Sequence, residues 1–342
     1  MYLSLSTLNG TKYLSIPVPW GEIRGKVWGP EHGRPVLCLH GWADNCGSFS
    51  TLVPLLPKGN LWFGLIDLFV CFFPQYIRFR YLTVDLAGHG LSSHRPPGDF
   101  YCFPSYVADV RRVVDGLYIH ELSENPLFTA LYPEMVDGLV LLDVYGFLPT
   151  DTRETAKVMR QGMNEMIEFE KKAAEKKRVY TYEKAVERML AVNPTLSDQS
   201  VHIMLERGLI QVEGGFVFSR DLRVNFKNIV RFSLEQSLLM QKRIRSGVLV
   251  ILSQNGFHRM LSEPSQKKFT SILQQQWKDR NDTVVTVPGD HHVHLTHPEV
   301  VAPYISDFLR TKVLSQSANS YVCRRRHLIY FFQIEPLICF FF

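Results

Sequence analysis

The sequence predicts an α/β protein: a mostly parallel sheet with helices on both faces and a helical cap. Three observations carry this expectation. Short apolar runs end abruptly in turns rich in glycine, as Val36–Leu39 does at His40-Gly41 and Tyr81–Asp85 does at Leu86-Ala-Gly-His-Gly90. The same strand pattern returns late in the chain, at Val248–Leu252 and Thr283–Val287. Between the early and late strands, from about Thr150 to Arg245, the composition shifts to amphipathic helices. Buried parallel strands read as short, near-continuous apolar runs, and open sheets of this kind place their chemistry at the carboxyl edge.

The bulk numbers allow such a fold. The chain has 342 residues, 46% hydrophobic and 21% charged, with a net charge of +5. That is an ordinary globular composition with length enough for a full core. The basic excess is mild and partly local, in Arg324-Arg325-Arg326, so no nucleic-acid partner is expected. Six cysteines (38, 46, 71, 102, 323, 339) form neither a CxxC pair nor a metal-ligand spacing. No metal and no cofactor are expected, and the scatter fits reduced thiols in a cytosolic-type compartment. Met1–Asn9 is too short and polar for a signal peptide, so the chain does not read as secreted.

In order, Tyr13–Val18 and Glu22–Trp28 flank Pro19-Trp-Gly21 and read as an antiparallel hairpin. Ser48–Leu56 has helical spacing. The stretch 60–79, NLWFGLIDLFVCFFPQYIRF, is dense in aromatics without a clear period and reads as an insertion. Asp67 and Pro74 interrupt it, so it falls short of the roughly 18 apolar residues of a membrane span. Contact of this stretch or of the C-terminal aromatics with a membrane surface stays open. Tyr106–Leu117 is helical, with Val107, Val110, Val113, Val114 and Leu117 on one face, and Leu139–Asp143 is a third buried strand. Helices follow at Arg153–Lys177, Tyr182–Val192 and Asp198–Arg207, the last capped by Ser197 and ended by Gly208, with a strand at Phe216–Phe218. A helix from Pro298 to Leu309 closes the pattern. The domain reading is a core over 10–149, a cap over 150–245, the second part of the core over 246–314 and an atypical apolar tail over 315–342.

With these pieces placed, the chain resembles the serine hydrolase-like proteins, α/β-hydrolases related to epoxide hydrolases and haloalkane dehalogenases. The motifs that carry the resemblance are PVLCLHGWADN, YLTVDLAGHGLSSH, ADVRRVV, YPEMVDGLVLLD and VPGDHHVHLTHPEVVA. It implies an α/β-hydrolase fold with a helical cap, and a hydrolase of an ester, thioester or amide with a small acyl substrate as partner. It also implies a cytoplasmic location or one at peroxisomes or perinuclear vesicles.

The resemblance assigns site residues one at a time. Gly41 and Trp42 follow His40 in the oxyanion turn, where the Trp42 N–H would hold the tetrahedral oxygen. His291, after Pro288-Gly-Asp290 and before Pro298, takes the place of the general base, with His292 and His294 as neighbours. The acid is expected in the loop Asn255-Gly-Phe-His-Arg259, where the expected position holds Arg259. Asp143 at its strand end is the alternative, or else a strand-end turn cap, and Glu263 is a remote third choice. The nucleophile is the departure. Asp115–Leu131 should carry G-x-S-x-G and holds no such motif. Its one serine, Ser123, lies between Glu121 and Glu124, whose charges oppose an oxyanion. The elbow strand is therefore expected to be missing or malformed, leaving a gap in the sheet between the strands ending at Leu39 and Asp143. Two alternatives to an active hydrolase follow: a pseudoenzyme or altered isoform, and a peripheral lipid-binding protein.

Overall fold

The strand runs are buried on both faces because their alternate residues enter two different cores. In the strand Arg34–Leu39, Leu37 and Leu39 join one apolar cluster while Val36 and Cys38 join another. Val136–Leu142 divides the same way, Leu139 and Leu141 against Val140 and Leu142. The fold is taken from a computed structural model, which describes residues 4–8, 11–58, 78–116, 126–172, 178–261, 263–313 and 328–332.

The chain opens with β1 (Ser4–Leu8), β2 (Thr11–Val18) and β3 (Gly21–Trp28), paired antiparallel in sequence order. The core thus begins before residue 10, the boundary expected from sequence. β4 is Arg34–Leu39 and β5 is Phe79–Val84, so Phe79 and Arg80 belong to the sheet and not to an insertion or a loop. The stretch 48–56 is not one helix. It forms two short 3₁₀ turns, Cys46–Phe49 and Val53–Leu55, because Pro54 lacks the N–H that a continuing helix needs. Helix α1 (Phe103–Gly116) buries Val107, Val110, Val113 and Val114 as its spacing predicted. α2 (Pro126–Leu131) is helical where an elbow strand had no sequence support, and β6 (Val136–Leu142) follows.

Between β6 and the next core strand lie α3 (Thr155–Lys171), α4 (Tyr182–Val192), α5 (Asp198–Gly208), the hairpin β7 (Leu209–Val212) and β8 (Gly215–Phe218), and α6 (Leu234–Arg243). The Ser197 side chain caps α5 by accepting from the Ser200 N–H. The core resumes with β9 (Gly247–Asn255), α7 (Phe257–Met260), α8 (Pro264–Asp279), β10 (Thr283–Asp290), α9 (Val293–Thr296) and α10 (Pro298–Phe308). α1 and α8 supply one core, through Val110, Val114, Leu273 and Trp277. α10 supplies the other, through Val301 and Ile305.

The expected gap in the sheet is not there. β11 (Leu328–Phe332), from the stretch read as an apolar tail, lies between β4 and β6 and parallel to both. Ile329–Phe332 pair with Val36–Leu39 on one side, and Phe332 pairs with Leu141 on the other. The order of the nine-stranded sheet is β1-β2-β3-β5-β4-β11-β6-β9-β10. The physical reason is general: two facing strand edges in a core must be paired, and Leu328-Ile-Tyr-Phe-Phe332 has the β-prone composition to pair them. Among the described residues no helix is long and apolar enough to cross a membrane. Most of 60–79 and all of 117–125, including Leu117, lie outside them.

Candidate active site

The loops after β4, β5, β6 and β10 meet at the carboxyl edge of the sheet. After β4 the chain turns at His40-Gly41. The His40 ring uses both nitrogens: Nδ1–H donates to the Gly41 carbonyl (2.7 Å), and Nε2 accepts the Leu86 N–H of the next loop (2.9 Å). Burial pushes its pKa down, against the pull of Asp85, so the ring is a neutral spacer between two loops. The turn itself is tightly held. Ala43 sits at φ 71°, its N–H donates to His89 Nε2 (3.2 Å), and its carbonyl accepts from Arg220 Nη1 (2.8 Å). The Trp42 indole donates to the Val224 carbonyl (2.9 Å), while its backbone N–H has no acceptor among the described residues.

Asp143 directly follows β6 at φ 52°, a left-handed conformation uncommon for a non-glycine residue. The turn brings its carboxylate to three donors. Oδ1 accepts the Ser253 N–H (2.8 Å), and Oδ2 accepts the Phe257 N–H (2.6 Å) and His291 Nδ1–H (2.6 Å). Gly256 makes this possible, because a Cβ there would lie 2.2 Å from both carboxylate oxygens. A carboxylate can only accept, so it is His291 Nδ1 that carries the proton of this hydrogen bond. Asp143 and His291 are both buried. Arg259 and Glu263 are not part of this arrangement. Arg259 lies on α7 with its Nε 3.5 Å from the Gln254 carbonyl, and Glu263 precedes α8 beside Ser265.

A second buried carboxylate, Asp85, directly follows β5. It accepts from the Cys46 and Leu91 N–H groups and from Arg207 of α5 through Nε (3.0 Å) and Nη2 (2.6 Å). Burial pushes its pKa up, but Arg207 outweighs this and holds it below the usual carboxylate range. His292 Nε2–H donates to Asp44 (3.2 Å). His294 is buried to 1%, neither ring nitrogen has a partner among the described residues, and burial first, then His292, lowers its pKa to about 3. Among the described residues no group of three or more histidine, cysteine or acidic side chains is arranged to hold a metal ion.

Comparison with known proteins decides the family. The chain is 48% identical to the serine hydrolase-like protein of Danio rerio, over 89% of this chain and 90% of that one. It is 33% identical to human serine hydrolase-like protein 2, over 87% and 93%. The chain belongs to the serine hydrolase-like protein family. Residues 34–122 match the family model of the alpha/beta hydrolase fold. Among solved structures, a hypothetical protein from Pseudomonas aeruginosa superposes with a TM-score of 0.71 at 24% identity, covering 88% of this chain and 99% of that one. A thioesterase domain from the curacin biosynthetic pathway superposes at 0.61 and 19%, covering 89% and 98%. Both similarities show the fold.

A serine hydrolase of this fold carries its nucleophile on a sharp turn between a central strand and the next helix. In this family member the strand between β4 and β6 is β11. The sequence after it, Gln333-Ile-Glu-Pro-Leu-Ile-Cys-Phe-Phe-Phe342, contains neither serine nor glycine. Ser123 lies outside the described residues. Of the site residues expected from sequence, the structure brings together Gly41, Trp42, Asp143, His291 and His292 around the loops just described. Sequence reasoning missed Asp44, Asp85, Arg207 and Arg220. Asp44 and Asp85 lie inside the HGWADN and VDLAGHG motifs, so their place at the sheet edge was a usable signal. Arg207 and Arg220 come from distant segments and had none.

Proposed function

We propose that this chain is a catalytically silent serine hydrolase-like protein. It keeps the acid–base pair and the oxyanion turn of an acyl-transfer site, lacks the nucleophile, and binds acyl compounds beneath a helical cap formed by 150–245. The observation that carries this reading is β11. The slot that should present the elbow is filled by a strand whose following sequence holds no G-x-S-x-G. In an enzyme with these parts, a serine would attack the carbonyl carbon and His291 Nε2 would take its proton. Asp143 would hold the resulting imidazolium, and the Trp42 N–H would hold the oxyanion. Without the serine the rate falls on the order of 10^6-fold, because nucleophile and base act as one unit. The elbow would also supply a second oxyanion N–H, so that contribution goes with it.

The pair His291–Asp143, at 2.6 Å, favours one rival reading: an active hydrolase of an ester, thioester or amide with Ser123 as nucleophile. Turnover of a p-nitrophenyl ester by the purified full chain separates the two. A rate equal to that of an inert-protein control is expected. A rate that saturates with substrate and disappears in Ser123→Ala would refute the silent reading.

A further inference from the structure

Asp44 and His292 join two loops that the fold brings from opposite ends of the chain. Asp44 is the third residue past Gly41, and its N–H closes the oxyanion turn on the Gly41 carbonyl (3.1 Å). His292 follows His291 directly, and the two rings stand edge to face with centroids 5.1 Å apart. The Asp44 Oδ2 to His292 Nε2 contact, 3.2 Å, is therefore a bridge from the oxyanion turn to the loop of the base. Both side chains are mostly buried, at 16% and 10% exposure.

We propose that Asp44 and His292 form a second carboxylate–imidazole pair, which positions His291 against the oxyanion turn and supplies a second negative charge that favours its protonated form. The inference rests on His291 as the base of the proposed site. Asp143 orients the His291 ring from the β6 side, but nothing in that contact fixes the ring relative to Trp42. The Asp44–His292 bridge does so. The charges agree with the geometry. Burial pushes the Asp44 carboxyl up, and the nearby imidazoles of His292, His40 and His291 outweigh it and hold it well below the usual carboxylate range. Asp44 is thus ionised at neutral pH. Among the described residues, those facing His291 are the carboxylates Asp143 and Asp44 and the rings of His292 and His294, the last neutral. Facing Asp44 from the other loops are His40, His89 and the Arg220 guanidinium. Asp44 and His292 are positioning residues in this account, acting through His291.

The test is an NMR titration of the full chain with isotope-labelled histidine, the signals assigned with His291→Gln and His292→Gln. Asp44→Asn should lower the His291 midpoint by about one pH unit, because an opposite charge nearby favours the charged form. His292→Gln leaves the Asp44 charge in place, so its His291 midpoint should equal or exceed that of the unmodified chain. A merely structural tie would move both variants the same way or neither. An unchanged or raised midpoint in Asp44→Asn overturns the proposal, as does a fall in His292→Gln. If Asp44→Asn does not fold, Asp44→Glu keeps the charge and should retain the midpoint, and a fall there is equally fatal. Ester turnover plays no part in these readings, so a chain that proves active would refute the silent site and leave this inference standing.

Discussion

The loops around His291 and the slot between β4 and β6 ask different things of the sequence. Around His291 each group needs particular partners in particular places. Asp143 takes three donors, Gly256 must be glycine, and His40 bridges two loops with both ring nitrogens. The slot asks only for a strand. Its requirement is backbone pairing and apolar composition, and Leu328–Phe332 meets it although it comes from the far end of the chain. Closing a sheet and presenting a nucleophile are therefore separable tasks. The first tolerates substitution by any short β-prone segment, whereas the second needs a strained turn with serine at its tip.

The comparison breaks most visibly if β11 is removed. Ending the chain at Val313 would leave the facing edges of β4 and β6 unpaired in the core. At about 1–3 kcal/mol for each buried group left unsatisfied, the loss would exceed the roughly 5–15 kcal/mol that holds a domain together. The truncated protein should show no cooperative urea transition. A normal transition would mean that β11 is dispensable and the slot closes without it.

The next effect lies at the β5 loop. Arg207→Met would leave Asp85 buried without its counter-ion, at a cost of about 3–5 kcal/mol in urea unfolding. Pairing it with Asp85→Leu should recover part of that loss, since the uncompensated charge goes too. The same pair gives a pH signature. The Asp85 pKa is lower folded than unfolded, so its contribution is complete at neutral pH and is lost as pH falls below about 4. Stability in that acid range should fall more steeply in the unmodified chain than in Asp85→Asn.

Smaller still is Gly256→Ala. Its Cβ would lie 2.2 Å from the Asp143 carboxylate, so the loop or the carboxylate must move, at about 1–3 kcal/mol. The sharper readout is the His291 signal in the histidine NMR spectrum, which should shift as its Asp143 partner is displaced. An unperturbed spectrum would show that the loop gives way without moving the pair.

Much of this was legible in the sequence, for identifiable reasons. The strands at 36–39, 81–84, 139–142, 248–252 and 283–287 carry their own apolar pattern, and glycine-bearing turns mark several of their ends. The His291 position follows from the order of motifs. What stayed hidden depends on pairing across long separations. Nothing local to Leu328–Phe332 says that its partners are Val36–Leu39 and the β6 edge, so it read as a tail and the sheet as gapped. Asp143 read equally well as a turn cap, because only the folded chain brings Ser253, Phe257 and His291 to one carboxylate. The same applies to Asp85, whose cation comes from α5, 122 residues on.

The central claim, that this hydrolase-like site has no working nucleophile, is tested most directly by intact-mass analysis of the full chain after treatment with a fluorophosphonate. No stoichiometric adduct is expected under conditions that fully label an active serine hydrolase. A one-to-one adduct that maps to Ser123 and vanishes in Ser123→Ala would contradict it.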